Sequence, residues 1–256
     1  IISLLGEESL KTGRPIVYTS GDSVFQIAAH EQHFGLQKLY DICKIAREVL
    51  NEYPDKIGRV IARPFVGKSK KDFQRTSNRH DYSLEPPCKT ILDVLKAAKR
   101  DVIGVGKIGD IFAHRGFTQE IHSDSNSHGM KILTELAQKT DWTGLVFVNL
   151  SDFDVLYGHR RNATGYAQAI EAFDRDLKRF LPCLTEEDCL IITADHGCDP
   201  TFAGTDHTRE YVPVLVWGVG MRGKGLGVRK TFSDVATTIA KIFDVRFNCE
   251  GTSLIA

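Results

Sequence analysis

Three apolar runs limit the fold of this chain more than any other feature: GLVFVNL (144–150), CLIITA (189–194) and VPVLVWG (212–218). None alternates apolar with polar residues, so each reads as a strand buried on both faces. Between the first two lies NATGYAQAIEAFDRDLKRFL (162–181), with Tyr166, Ile170, Phe173, Leu177 and Phe180 at helical spacing and Asn162 placed to cap its start. Similar segments surround them. TILDVLKAAKR (90–100) and HGMKILTELAQK (128–139) read as helices, DVIGVGKIG (101–109) as a strand and turn, and SDVATTIAKIF (233–243) as a closing, Ser-capped helix. Alternating helices and doubly buried strands mark an α/β fold with a mainly parallel sheet.

The first third reads differently. RPIVY (14–18) and GRVIARPFVG (58–67) are predicted strands, the second at a sheet edge because of Pro64. GDSVFQIAAHE (21–31) reads as a polar turn followed by an apolar segment. Leu36, Leu39, Cys43, Ala46, Leu50 and Tyr53 predict a helix over 35–53. KSKKDFQRTSNRHDYSLEPP (68–87) has no periodicity and is predicted to be a long loop, its basic part a lid. The double proline Pro86-Pro87 marks the expected boundary between a domain at 1–86 and one at 87–256.

Composition excludes more than it assigns. Lys+Arg and Asp+Glu number 33 each, and no basic stripe suggests nucleic acid. No apolar run approaches the roughly 18 to 20 residues that span a membrane. Six scattered cysteines without a CxxC, and an apolar start with no basic region before it, predict reduced thiols in a cytoplasmic protein.

The chemistry gathers where predicted strands end. GLVFVNL runs into SDFDVLYGHRR, CLIITA into DHG, and GTDHTRE precedes VPVLVWG. Ligands of open α/β sheets bind beyond the carboxyl ends of the strands. Asp152, Asp154, His159, Asp195, His196, Asp206 and His207 are therefore candidates for one site. Mixed carboxylates and imidazoles suit Mn²⁺ or Zn²⁺, and so many acids need a cation between them. Asp152 and Asp206 are the weakest members and could orient a neighbouring ligand instead. Cys198 reads as packing. His114, His122 and His128 are spaced loosely and read as a surface loop.

The ordered motifs DxxxxGH, ADHG and GTDHTREYVP resemble the metal-binding core of the alkaline phosphatase superfamily. TSGDSVFQIAAHE, GRVIARPFVG, RTSNRHDY, GKIGDIF and NLSDFDVLYGHRR resemble, within it, the phosphopentomutase family. The resemblance runs across nearly the whole chain. It implies a core of alkaline-phosphatase type, of which 87–256 is the C-terminal part, and a smaller α/β cap at 1–86 that closes over a sugar phosphate. It implies an isomerase of nucleoside metabolism that interconverts (deoxy)ribose 1-phosphate and (deoxy)ribose 5-phosphate through a phosphoenzyme, with two Mn²⁺ and a possible sugar bisphosphate activator. Asp154, His159 and His207 would hold one ion, and Asp195 and His196 the second. Asp22 would contact sugar hydroxyls, Arg59, Arg75 and Lys107 would hold the phosphate distal to the metals, and Ser20, Val24 and Ile61 would shape the pocket. Arg79, His80 and Asp81 would form a local ion-pair network. The family's phosphorylated threonine and an early aspartate ligand lie upstream of these motifs and have no match in this sequence. Asn126-Ser-His-Gly departs from the family's Asn-Met-Asp-Gly-like run. Two alternatives accompany this reading: another phosphoryl-transfer enzyme of the superfamily, such as a cofactor-independent phosphoglycerate mutase or a phosphatase, and an inactive binding fragment.

Overall fold

The computed structural model describes residues 1–20, 23–53, 57–218, 223 and 225–255; Asp22 and the Ser20 side chain lie outside this set. Two compact units form: Ile1–Pro86 with Asp110–Ala113, and Pro87–Gly109 with His114–Ala256. No helix among the described residues is long and apolar enough to cross a membrane.

The first unit starts with helix α1 (Ile2–Thr12), which the sequence reading passes over. Its apolar residues Ile2, Leu5 and Leu10 pack against Ile16, Ala28, Phe65 and Phe73. Gly13, at φ 66°, ends the helix in the left-handed conformation that glycine adopts without strain. Strands β1 (Ile16–Ser20) and β2 (Val24–His30) pair antiparallel. A π-helical turn at Glu31–Gly35 leads into α2 (Leu36–Asn51), whose Leu39 and Cys43 bury against Ile27, Val60 and Ala62. Burial pushes the Cys43 thiol up to about 12.

Strand β3 (Arg59–Val66) lies parallel to β2 and is central, not at an edge as Pro64 suggests. The segment 68–87 is not one long loop. It supplies β4 (Gln74–Arg75) and β5 (His80–Ser83), both antiparallel to β3. Strand β5 pairs with Arg59–Ala62 and β4 with Phe65–Val66, so Pro64 falls between the two partners, where its missing N–H costs no ladder bond. The 68–72 turn is tied by Asp72, which accepts the N–H groups of Lys68 and Ser69. Ser83 donates to the Asp110 carbonyl at 2.6 Å.

In the second unit α3 (Ile91–Ala97) opens with Asp93 accepting the Thr90 N–H at 2.7 Å. Next come β6 (Asp101–Val105), α4 (Ile108–Ile111), whose last two residues count with the first unit, β7 (Gln119–Ile121), α5 (Asn126–Ala137) and β8 (Gly144–Val148). Strand β6 pairs in parallel with both β7 and β8. Ile103, Val105, Ile132 and Leu136 form the core beneath this sheet, with Trp142, Val146 and Val148 against it. Helix α6 (Ala163–Phe180) starts at Asn162, whose side chain accepts the Gly165 N–H at 2.9 Å. Strands β9 (Cys189–Thr193) and β10 (Val214–Gly218) pair antiparallel in a sheet of their own. Two strands cannot cover their own faces, so the apolar residues expected to be buried stay partly open, with Leu215 60% and Trp217 41% exposed. Helix α7 (Ser233–Ile242) is not capped by Ser233. The Thr231 hydroxyl accepts the Ser233 N–H instead.

Candidate metal centre

Strand β8 delivers the chain to a π-helical turn, Phe153–Gly158. The His159 N–H bonds the Asp154 carbonyl at 3.0 Å, an i to i+5 bond. Five residues at that pitch bring the Asp154 and His159 side chains to one side, and such single turns recur at functional sites. His159 Nε2 stands 3.3 Å from Asp154 Oδ2. His207 Nε2 stands 3.4 Å from Asp154 Oδ1. The ligand atoms of Asp154, His159 and His207 all lie within 4.8 Å of one another, the single cluster of this kind among the described residues.

The donor set fits a divalent cation. Two ligand atoms each ~2.1 Å from one ion sit about 3.0–3.5 Å apart at tetrahedral to octahedral angles. The imidazoles are turned for it. His159 Nδ1 meets the Thr205 carbonyl, which can only accept, so the proton sits on Nδ1 and the Nε2 lone pair faces Asp154. His196 Nδ1 likewise meets the Gly197 carbonyl at 3.0 Å, leaving Nε2 3.5 Å from Asp195 Oδ2. The His196 ring stacks on His207 with centroids 3.6 Å apart. The Asp195-His196 pair thus adjoins the three-residue cluster, with the Asp195 side chain 70% exposed.

Two glycines permit this approach. A Cβ on Gly158 would stand 2.3 Å from Cys198 Sγ, and one on Gly197 2.7 Å from the Thr208 carbonyl. Gly197 and Thr208 form an isolated antiparallel bridge, which folds the 195–196 and 206–207 pairs onto each other. Cys198 is not mere packing: its thiol donates to Asp154 Oδ1 at 3.6 Å. Burial raises the Cys198 pKa, and the Asp154 charge raises it further, which keeps the thiol a donor.

Asp152 is not part of the site. It exchanges hydrogen bonds with Asn126, accepting the Asn126 N–H at 2.7 Å and donating its own N–H to Asn126 Oδ1 at 2.9 Å. This pins the start of α5 to the end of β8. The Asp206 side chain is exposed, and its carbonyl accepts from Arg161. His114 pairs with Glu120 at 2.8 Å, and His122 and His128 both lie against Asp124, on the surface.

Arg161 is the residue that sequence reasoning misses. Its guanidinium donates to four carbonyls: Gly158, Asp199, Gly204 and Asp206. One side chain thereby ties the π-helical turn bearing Asp154 to the loop bearing His207. The only signal in the sequence is the doubled arginine of GHRR.

In the first unit, alternation along β3 places Arg59, Ile61, Arg63 and Phe65 on one face. Arg59 lies 3.7 Å from Asp81, whose two oxygens accept from Arg79 at 2.7 Å each. Arg75 donates to the Tyr18 hydroxyl at 3.0 Å. Val24 and Ile61 are 2% and 3% exposed and form the sheet floor. Lys107 is exposed between β6 and α4 in the second unit.

The Metalloenzyme superfamily model matches residues 28–246. A phosphopentomutase from Pseudoalteromonas translucida is 54% identical over 245 residues, covering 96% of this chain and 60% of that protein. One from Caldanaerobacter subterraneus is 55% identical over 256 residues, covering 100% of this chain and 64% of its own length. The chain therefore spans about three fifths of the length of these relatives. A solved Leishmania mexicana phosphoglycerate mutase superposes with a TM-score of 0.50 at 19% identity, covering 64% of this chain and 39% of that one, a likeness of fold. With that match over residues 28–246 and a cluster built to hold a cation, the chain belongs to the metalloenzyme superfamily.

Proposed function

We propose that this chain provides the sugar-phosphate-recognising unit and the C-terminal part of the metal-binding core of a cytoplasmic phosphopentomutase, which interconverts (deoxy)ribose 1-phosphate and (deoxy)ribose 5-phosphate through a two-metal phosphoenzyme. The observation that carries this reading is the convergence of Asp154, His159 and His207 in a chain more than half identical to proteins named phosphopentomutase.

Asp154, His159 and His207 would hold one Mn²⁺, and Asp195 and His196 would contribute to a second. A bound divalent cation supplies Lewis-acid stabilisation of the charge on phosphoryl oxygens. The protein's own work is positional. The carbonyls of Thr205 and Gly197 hold the His159 and His196 rings in one tautomer. Arg59, Arg75 and Lys107 bind the phosphate that is not transferred, the arginines as planar forks and the lysine as a point charge. Asp22 accepts hydrogen bonds from sugar hydroxyls, and Ser20, Val24 and Ile61 shape the contact. A sugar bisphosphate would serve as activator. No residue of this chain is assigned as the phosphoryl acceptor.

Calorimetry on this chain with Mn²⁺ and with ribose 5-phosphate tests the reading. Lys107→Ala should weaken ribose 5-phosphate binding at least tenfold, the cost of about one charge-assisted contact, and leave Mn²⁺ affinity within twofold. Equal losses for both ligands overturn the assignment of Lys107. Binding of 3-phosphoglycerate as tight as that of ribose 5-phosphate overturns the choice of substrate.

A further inference from the structure

Arg63 carries an orphaned donor. Its Nε is buried with no acceptor, and its guanidinium forms no ion pair, among the described residues. A guanidinium is rarely taken out of water without a partner, because an unmet buried donor carries its full desolvation cost. An orphan of this kind calls for an explanation.

Strand register says where the group sits. Rows across the sheet run Tyr18–Gln26–Ile61–Asp81, then Ile16–Ala28–Arg63, then His30–Phe65–Arg75. Arg75 starts in the third row, on β4, and ends at the Tyr18 hydroxyl in the first row, on β1. The row between these two holds Arg63. Arg63 therefore lies on the face that the Arg75–Tyr18 bond spans, with Arg59 beyond Ile61 on the same strand. In these rows the described carboxylate is Asp81, and both its oxygens are already engaged by Arg79. Among the described residues the buried Arg63 Nε on this face thus has no acceptor.

We propose that Arg63 and Arg75 form a two-guanidinium clamp for the phosphate monoester, with Arg63 a direct phosphate ligand that this face keeps partly desolvated before the ligand arrives. This rests on the sugar-phosphate reading of the first unit given above. Two forks can each offer paired N–H groups to a tetrahedral dianion, which two lysines could not match in geometry. The orphaned Nε then finds its acceptor only in the complex, so the cost of its burial favours the bound state.

The test measures ribose 5-phosphate and inorganic phosphate binding by calorimetry for the whole chain, its Arg63→Met, Arg63→Lys and Arg75→Met variants, and the ligand-free melting temperature of each. Arg63→Met should weaken both ligands roughly tenfold to a hundredfold, the loss of one charge-assisted contact. Its ligand-free melting temperature should stay level or rise, since an unpaired donor has been replaced by an apolar chain. Arg63→Lys should fold equally well and recover only part of the affinity. Unchanged binding by Arg63→Met, or a lowered melting temperature with unchanged binding by Arg63→Lys, overturns the proposal and makes Arg63 structural. If Arg75→Met loses binding while Arg63→Met does not, the clamp fails and the sugar-phosphate face stands. If the unaltered chain binds neither ligand, the face itself fails and the clamp with it.

Discussion

Replacing Arg161 by methionine should weaken the metal centre although Arg161 touches no metal. Its guanidinium holds the carbonyls of Gly158, Asp199, Gly204 and Asp206. Those carbonyls flank His159, follow Cys198 and bracket the Thr205–Asp206 approach to His207. Charge-assisted hydrogen bonds contribute about 1.5–3 kcal/mol each when desolvated, but Gly204 and Asp206 are exposed and water can replace part of the loss. We therefore count ~0.5–1 kcal/mol per bond, or about 2–4 kcal/mol for four. That free energy orders the 199–207 loop, and apparent affinity falls in proportion to the fraction of chains with the loop in place. If half to two thirds of it is felt at the ligands, Mn²⁺ affinity drops about fivefold to ninetyfold, close to the range seen when outer-shell partners are removed. Titration of Mn²⁺, following the free ion by electron paramagnetic resonance, gives the constant directly, with His207→Ala as the positive control. Arg161→Lys keeps the charge and loses the fork, so it should resemble the methionine variant. Unaltered Mn²⁺ affinity in Arg161→Met would refute the clamp.

Two further outcomes concern stability. Asp234 is 5% exposed and accepts from Arg229 Nε and from the Thr252 N–H at 2.7 Å each. Burial pushes its pKa up, but the Thr252 and Arg229 hydrogen bonds outweigh that and hold it below the usual carboxylate range. A lowered folded pKa stabilises above the unfolded value of ~3.9, and the contribution is lost as pH falls through the folded value. Asp234→Asn should cost about 2–3 kcal/mol at pH 7, less than a fully buried pair because Arg229 is partly exposed, and the gap to the unaltered chain should narrow near pH 3; a gap independent of pH in thermal melts excludes the ionic contribution. Phe65 is fully buried with edge-to-face contacts to His30 and Phe73 at 5.4 and 5.3 Å. Phe65→Ala should cost about 3–5 kcal/mol in urea unfolding of the first unit, and a loss below ~1 kcal/mol would mean that α1 does not seal this core.

What could be read in the sequence was what periodicity and composition encode. Helices α2, α5 and α6 announce themselves by apolar stripes, and α6 by its capping Asn162. Short elements carry no such signal. Strand β4 has two residues and β5 four, too few for alternation to show, and both vanish into a polar stretch. Pro64 misled for a related reason. A proline excludes a ladder bond at one position, and here the neighbouring strand changes at that position, so the residue is compatible with the middle of a sheet. Asp152 misled because an acid at a strand end serves a helix start as readily as a metal.

The two arginines that the structure adds mark the boundary more sharply. Arg161 donates chiefly to main-chain carbonyls, which any residue supplies, so the sequence holds little to betray it. Arg63 is the reverse case. Its sequence context, a charge inside an apolar strand, is visible at once, yet a charge there is ordinarily matched by a neighbour. Only the fold reveals that the match is missing among the described residues, and a buried donor with no acceptor is what the proposed phosphate contact would satisfy. Side chains that complete the fold are thus found through their partners, whereas side chains that complete a complex are found through the partner they lack.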